Sequence, residues 1–152
     1  MPVVLKSEQV WREVERQLFA VLGVVTPAGE PRTVGICYVV RDRQLYIVTG
    51  RETWKARHIE KNPRVSLTVM VAKRIPFLPW IPIPAATVSF QGEATIHSPS
   101  EVAPEILRRL TRGAEFSPEV ASQICVVKVE PKGEFLTYGI GVSLLAMRKP
   151  EK

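Results

Sequence analysis

The chain has 152 residues, 45% hydrophobic and 24% charged, with a net charge of +6. That length suits one domain, residues 1–152, with a real core, and the composition is neither disordered nor fibrous. No apolar run is long enough to span a bilayer and no basic-then-apolar leader opens the chain, so a cytoplasmic location is expected.

Ser7 can cap a first helix, with Val10, Val14 and Leu18 at helical spacing and Trp11 beside them. Phe19 to Thr26 is a β-rich run that ends in a Pro/Gly turn at 27–31. Two more runs, Thr33–Val40 and Leu45–Thr49, are separated by the short polar link Arg41-Asp42-Arg43-Gln44 and read as a meander. Gly50 breaks the strand, Thr53–Lys61 is helical, and Asn62-Pro63 stops it. Arg64–Val71 returns to strand. The segment from Ile75 to Pro84 holds four prolines among apolar residues. Proline lacks the backbone donor that helix and central strand need, so this is an extended loop.

Ala86–His97 is a long strand, and Ser98-Pro99-Ser100-Glu101 opens a helix whose buried face is Val102, Ile106 and Leu110. Ser117-Pro118 opens a shorter one. Ile124–Val129 and Phe135–Tyr138 are strands about a turn at Pro131-Lys132-Gly133. Residues 139–147 are either a closing strand or a tail. No βαβ alternation occurs, which argues against doubly wound and (β/α)₈ folds. The expected fold is mostly β (α+β): a six-stranded antiparallel barrel with peripheral helices.

Side-chain chemistry is sparse. The two histidines, His58 and His97, are not spaced as metal ligands, and no nucleophile elbow or phosphate-cradling glycine loop is present. Cys37 and Cys125 form no Cys-x-x-Cys pattern and are expected as buried free thiols. The positive charge favours anionic partners, but the bases are dispersed and not interleaved with stacking aromatics, so nucleic acid is not an expected partner. An enzyme built this way needs a cofactor to carry the reactive atoms.

The most informative stretch runs from Leu45 to Leu67: strand, glycine turn, helix start with Thr53 and Lys55, then Asn-Pro and another strand. A helix N-terminus offers free N–H groups, and with the Thr53 hydroxyl, Lys55 and Arg51 or Arg57 it could hold a phosphate. Equally, Thr53 could simply cap a helix with a solvated basic face.

Val48-Thr49-Gly50, Thr53-Trp54-Lys55 and Asn62-Pro63-Arg64-Val65-Ser66-Leu67, with the Pro31-Arg32-Thr33-Val34 strand before them, resemble the signature of the pyridoxamine-phosphate-oxidase-like flavin-binding split barrels. The resemblance is clear from about Glu8 to Val71 and continues beyond as an order of elements. It implies a split β-barrel homodimer with FMN at the subunit interface and a small-molecule substrate. Arg32, Thr33 and Val34 would lie along the flavin ring. Val48 and Thr49 would contact ring or ribityl chain, and Thr53, Trp54 and Lys55 would hold the phosphate. Trp54 stands where many FMN-binding members have arginine, which leaves the deazaflavin F420, and less so haem, as alternatives. The implied function is flavin-dependent oxidoreduction on an unidentified substrate, with no catalytic side chain assigned; a non-catalytic flavin or haem binder is the rival.

The proline-rich loop is read as packing at the dimer interface, with a cover over the flavin as the alternative. Membrane contact is not expected there, because the loop is not an amphipathic helix. Tyr38 and Tyr138 could donate to a ligand, but a strand tyrosine usually packs.

Overall fold

The computed structural model describes residues 7–143. Helix α1 (Ser7–Arg16) leads into strands β1 (Phe19–Val25), β2 (Pro31–Cys37), β3 (Val39–Arg41) and β4 (Gln44–Gly50). Helix α2 (Trp54–Lys61) and strands β5 (Arg64–Val71) and β6 (Ala86–His97) follow. A 3₁₀ turn (Pro99–Glu101), helices α3 (Pro104–Thr111) and α4 (Pro118–Gln123), and strand β7 (Ile124–Tyr138) complete the order.

The strands form one antiparallel sheet in the order β2-β1-β5-β6-β7-β4-β3. It is curled into a split barrel with the helices at its periphery, so the expected fold class holds with seven strands in place of six. The strand divisions differ in two places, at Tyr38 and across residues 124–138, where two expected strands are one. The single run expected over 33–40 bends at Tyr38, its first half pairing with β1 and its second with β4. The two edge strands are thus consecutive in sequence, and the barrel's seam runs between them, bridged by Tyr38.

Residues alternate faces along each strand. Ala20, Leu22 and Val24 of β1, Leu67 and Val69 of β5, Val88 of β6 and Val129 of β7 point inward and are almost wholly buried. Each such Leu or Val contributes roughly 1.5–3 kcal/mol by leaving water. Val10, Trp11 and Val14 of α1 and Ile59 of α2 close the same core. Trp11 and Phe90 each meet Phe135 edge-on, with ring centroids 5.4 and 5.2 Å apart. Leu18 does not continue the α1 stripe: it lies beyond the helix and is exposed.

The turn expected at Pro131-Lys132-Gly133 does not reverse the chain. β7 runs through it as an irregularity opposite Ser89 and Gln91, with Gly133 at φ 76°. The twelve-residue β6 pairs with β7 on both sides of it, which holds the direction of the strand. The helix expected from Ser98 is two pieces, but Val102 and Ile106 are buried as read, against Val126. Residues 139–141 form a turn with Ile140 in the core; 144–147 lie outside the described residues.

Candidate functional site

A cleft of about 240 Å³ opens at the seam. Its floor is the bend itself, Gly35 to Val39, with Ile47 and Val48 of β4 and Leu18 beside it. Lys55 enters from the first turn of α2, and Arg109, Leu110 and Arg112 from the end of α3. Three cations share walls that are otherwise mainly apolar, and no carboxylate is among the lining residues. In such a setting an anion gains from several charges at once and meets no competing internal ion.

Lys55 is placed by local sequence. Thr53 caps α2, its Oγ1 accepting from the Ala56 N–H at 3.4 Å and donating to the Gly50 carbonyl at 2.8 Å. The Thr49 and Thr53 hydroxyls lie 3.3 Å apart. Because the Thr53 hydrogen points to Gly50, that hydroxyl must rotate before it can donate to a phosphate. Lys55 Nζ sits 6.0 Å from the Trp54 ring centroid, and no ion pair to it occurs among the described residues.

Trp54 itself packs on the core and stands 5.8 Å from His58, ring to ring. The two arginines expected as possible partners of Lys55 at a phosphate are engaged elsewhere. Arg57 pairs with Glu52 at 2.5 Å. Arg51 donates to the Ile124 carbonyl at 3.1 Å and the Ser98 hydroxyl at 2.7 Å, tying β4 to β7.

The structure therefore brings Val48 and Lys55 into one cleft, with Thr49 and Thr53 hydrogen-bonded behind them. Val34 packs half-buried on the core. Arg32 and Thr33 line a second cleft of about 460 Å³, with Gly23, Arg64, Ser66 and Gln91. Strand β2 runs from one cleft to the other: Pro31–Thr33 border the second and Gly35–Cys37 the first. A ligand lying along β2 would touch both groups.

Arg109 and Arg112 were not singled out by sequence. Arg109 Nη1 donates to the Val40 carbonyl at 2.9 Å, which fixes it at the seam; among the described residues its guanidinium has no ion-pair partner. Arg112 ends α3 in the left-handed conformation at φ 54°. The only sequence signal was the basic run Arg108-Arg109-Leu110-Thr111-Arg112.

Tyr38 lines the cleft, but its hydroxyl is spent on the Val14 carbonyl at 2.6 Å, and burial pushes its pKa well above the ordinary tyrosine range. His97 lies outside this cleft, with Nε2 2.8 Å from the Thr95 hydroxyl and Nδ1 3.4 Å from Glu101. The expectation of two buried thiols is half corrected. Cys125 is buried, but Cys37 is exposed at the end of an edge strand and borders the cleft.

Taken together, the seam and the curled sheet define a split-barrel protein with a cleft lined by three cations. The pyridoxamine 5'-phosphate oxidase family model matches residues 7–137, and the chain belongs to that family. No curated protein matches it in sequence. Among solved structures it is similar to a conserved hypothetical protein from Mycobacterium tuberculosis, at TM-score 0.67 and 17% identity over 90% of this chain and 86% of that one. It is similar to an F420 reductase at TM-score 0.61 and 20% identity, over 88% of this chain and 98% of that one. The heme storage protein HutZ from Vibrio cholerae matches at TM-score 0.66 and 14% identity, over 88% and 95%.

Proposed function

We propose that the chain is a homodimeric flavin-dependent oxidoreductase that holds FMN by its phosphate at Lys55 and acts on a small substrate. The carrying observation is the seam cleft, where Lys55, Arg109 and Arg112 face an apolar floor with no carboxylate among the lining residues. That pairing suits a molecule with a flat apolar ring at one end and phosphate at the other. When bound, the flavin would supply the hydride or electron chemistry. The chain's own part is positional. Val48 and the β2 backbone border the ring's place, Lys55 compensates phosphate charge, and the Ile36 and Ile47 side chains keep water from the floor.

The cleft is smaller than the roughly 300–1,000 Å³ of sites that enclose a drug-sized ligand. One chain therefore covers part of the cofactor, and a second copy across the open side completes the enclosure. A specific observation also supports F420: three cations on two helices exceed what one phosphate requires, and F420 carries further carboxylates. With neither a histidine nor a carboxylate among the lining residues, a non-catalytic binder fits the same cleft, as the likeness to a heme storage protein illustrates.

Equilibrium absorbance titrations of the purified chain with FMN, F420 and haem test the proposal. Saturation by FMN near one per chain, followed by reduction with a nicotinamide donor and reoxidation by a selective acceptor, is the expected result. Binding without turnover under any donor would leave the binder, and binding of none of the three would end the flavin reading. Lys55→Ala should weaken FMN binding about 10- to 100-fold, the scale of a lost hydrogen bond to a charged group, while Lys55→Arg retains most of it.

A further inference from the structure

The loop between β5 and β6 is built unlike the rest of the surface. From Ile75 to Ala85 it carries no charged residue. Phe77 is 90% exposed and Trp80 74%. The pairing of Val71 with Ala86 closes the hairpin beneath it, so the loop extends from the end of a rigid two-strand stem.

Its backbone suits an environment poorer in water than the bulk. Pro76, Pro79, Pro82 and Pro84 have no N–H to satisfy. The Leu78 N–H donates to the Ile75 carbonyl and the Ile81 N–H to the Leu78 carbonyl, each at 3.1 Å. Backbone donors left unsatisfied are what bar most loops from a lipid interface, and here proline and local turns remove several. Tryptophan and phenylalanine are the side chains that settle at headgroup depth.

At the base, Lys73 and Arg74 flank the apolar tip, and neither forms an ion pair among the described residues. Basic residues beside an inserted apolar tip are the pattern an anionic lipid surface attracts. A second copy of this chain would bring the same two bases and the same +6 net charge to the contact. Charge complementarity therefore favours the bilayer over self-association at this loop.

We propose that residues 73–84 form a membrane-surface anchor, seating Phe77 and Trp80 in the headgroup region of an anionic phospholipid bilayer with Lys73 and Arg74 above them. An amphipathic helix is not required, because the hairpin stem supplies the rigidity and the prolines and turns deal with much of the backbone. The anchor is independent of what the seam cleft binds.

The test uses the full chain with vesicles of phosphatidylcholine and phosphatidylglycerol in equal parts, against phosphatidylcholine alone. The chain should sediment with the anionic vesicles, with a blue shift in tryptophan emission and quenching by bromine-labelled lipid. Trp11 is buried and Trp54 packs on the core, so Trp80 is the reporter. Phe77→Ser should weaken partitioning about tenfold or more. Lys73→Glu with Arg74→Glu should weaken it roughly fivefold per charge. The proposal fails if the chain does not sediment with anionic vesicles, or if bromine-labelled lipid leaves its emission unchanged. It also fails if Phe77→Ser binds as the parent does. A dimeric parent that becomes monomeric as Phe77→Ser with Trp80→Ser, in sedimentation velocity without vesicles, would assign the loop to a second copy instead. Quenching of the parent protein keeps the test decisive if a variant misfolds.

Discussion

Lys55 and Thr53 were legible because their placement is local. A capping threonine at the start of a helix fixes where the second helical residue projects, and nearby sequence carries that information. Arg109 and Arg112 reach the same cleft from a helix more than fifty residues later, and no pattern around Lys55 announces them. Burial has a further consequence at single residues. Cys125 has its thiol pKa raised chiefly by burial, with Glu60 adding to the rise and Arg51 opposing it. Tyr38 is raised by burial alone. In both, the folded state holds the proton more tightly than the unfolded chain. The associated stability is fully present below the unfolded values, about 8.5 for cysteine and about 10 for tyrosine, and is lost as pH rises past them. Urea midpoints should therefore start to fall near pH 9 and fall faster above about 10. Cys125→Ala should remove the first limb and Tyr38→Phe the second. Midpoints that stay flat across this range would mean that neither proton is held by the fold.

At the scale of elements, hydrophobic alternation identified the strands, while the bend that makes the seam was hidden. Val34, Ile36 and Val40 alternate without a break in apolar character, so nothing local marks Tyr38. Its inward position is set by tertiary contacts: the backbone N–H donates to the Leu18 carbonyl at 3.1 Å and the hydroxyl to Val14. The Val14 carbonyl lies in the last turn of α1, where carbonyls lack helical partners, so Tyr38 both makes the seam and caps the first helix. The link after β3 is a short polar connection in sequence, and its geometry is sharper than that implies. Arg41 pairs with Gln44, leaving a two-residue hairpin loop in which Asp42 and Arg43 both have positive φ, 52° and 59°. That is the turn in which glycine is favoured at the second position. A left-handed conformation costs a non-glycine residue roughly 1–2 kcal/mol, partly offset by the larger unfolded entropy of glycine. Arg43→Gly should stabilise the protein by about 0.5–1 kcal/mol in urea denaturation, without moving cofactor affinity. A loss of stability would show that the Arg43 side chain makes a contact that outweighs the backbone relief.

For the whole molecule, the split barrel makes the proposed binding site a property of the sheet's edges. Its two halves, one at Lys55 and one at Arg32 and Thr33, are joined along β2, an edge strand that pairs only with β1. An edge strand left open is a natural place for a second chain to dock, and the outer face nearby carries exposed Phe19, Met70, Leu136 and Tyr138. In the proposed homodimer, cofactor binding and dimer formation close the same space and must share free energy. The coupling is reciprocal: whatever the cofactor adds to dimer affinity, the dimer adds to cofactor affinity. FMN affinity should accordingly weaken as the protein is diluted through its dimer dissociation range. At a hundredfold excess over Kd, bound cofactor should add about 2.7 kcal/mol of stability. That corresponds to roughly 5–11 °C in the melting midpoint of a domain of this size. Calorimetric titration at two protein concentrations on either side of that range, with sedimentation velocity on the same samples, measures both quantities. An affinity independent of concentration while the chain passes from dimer to monomer would place the whole cofactor site within one chain, and the small seam cleft would then have to widen on binding.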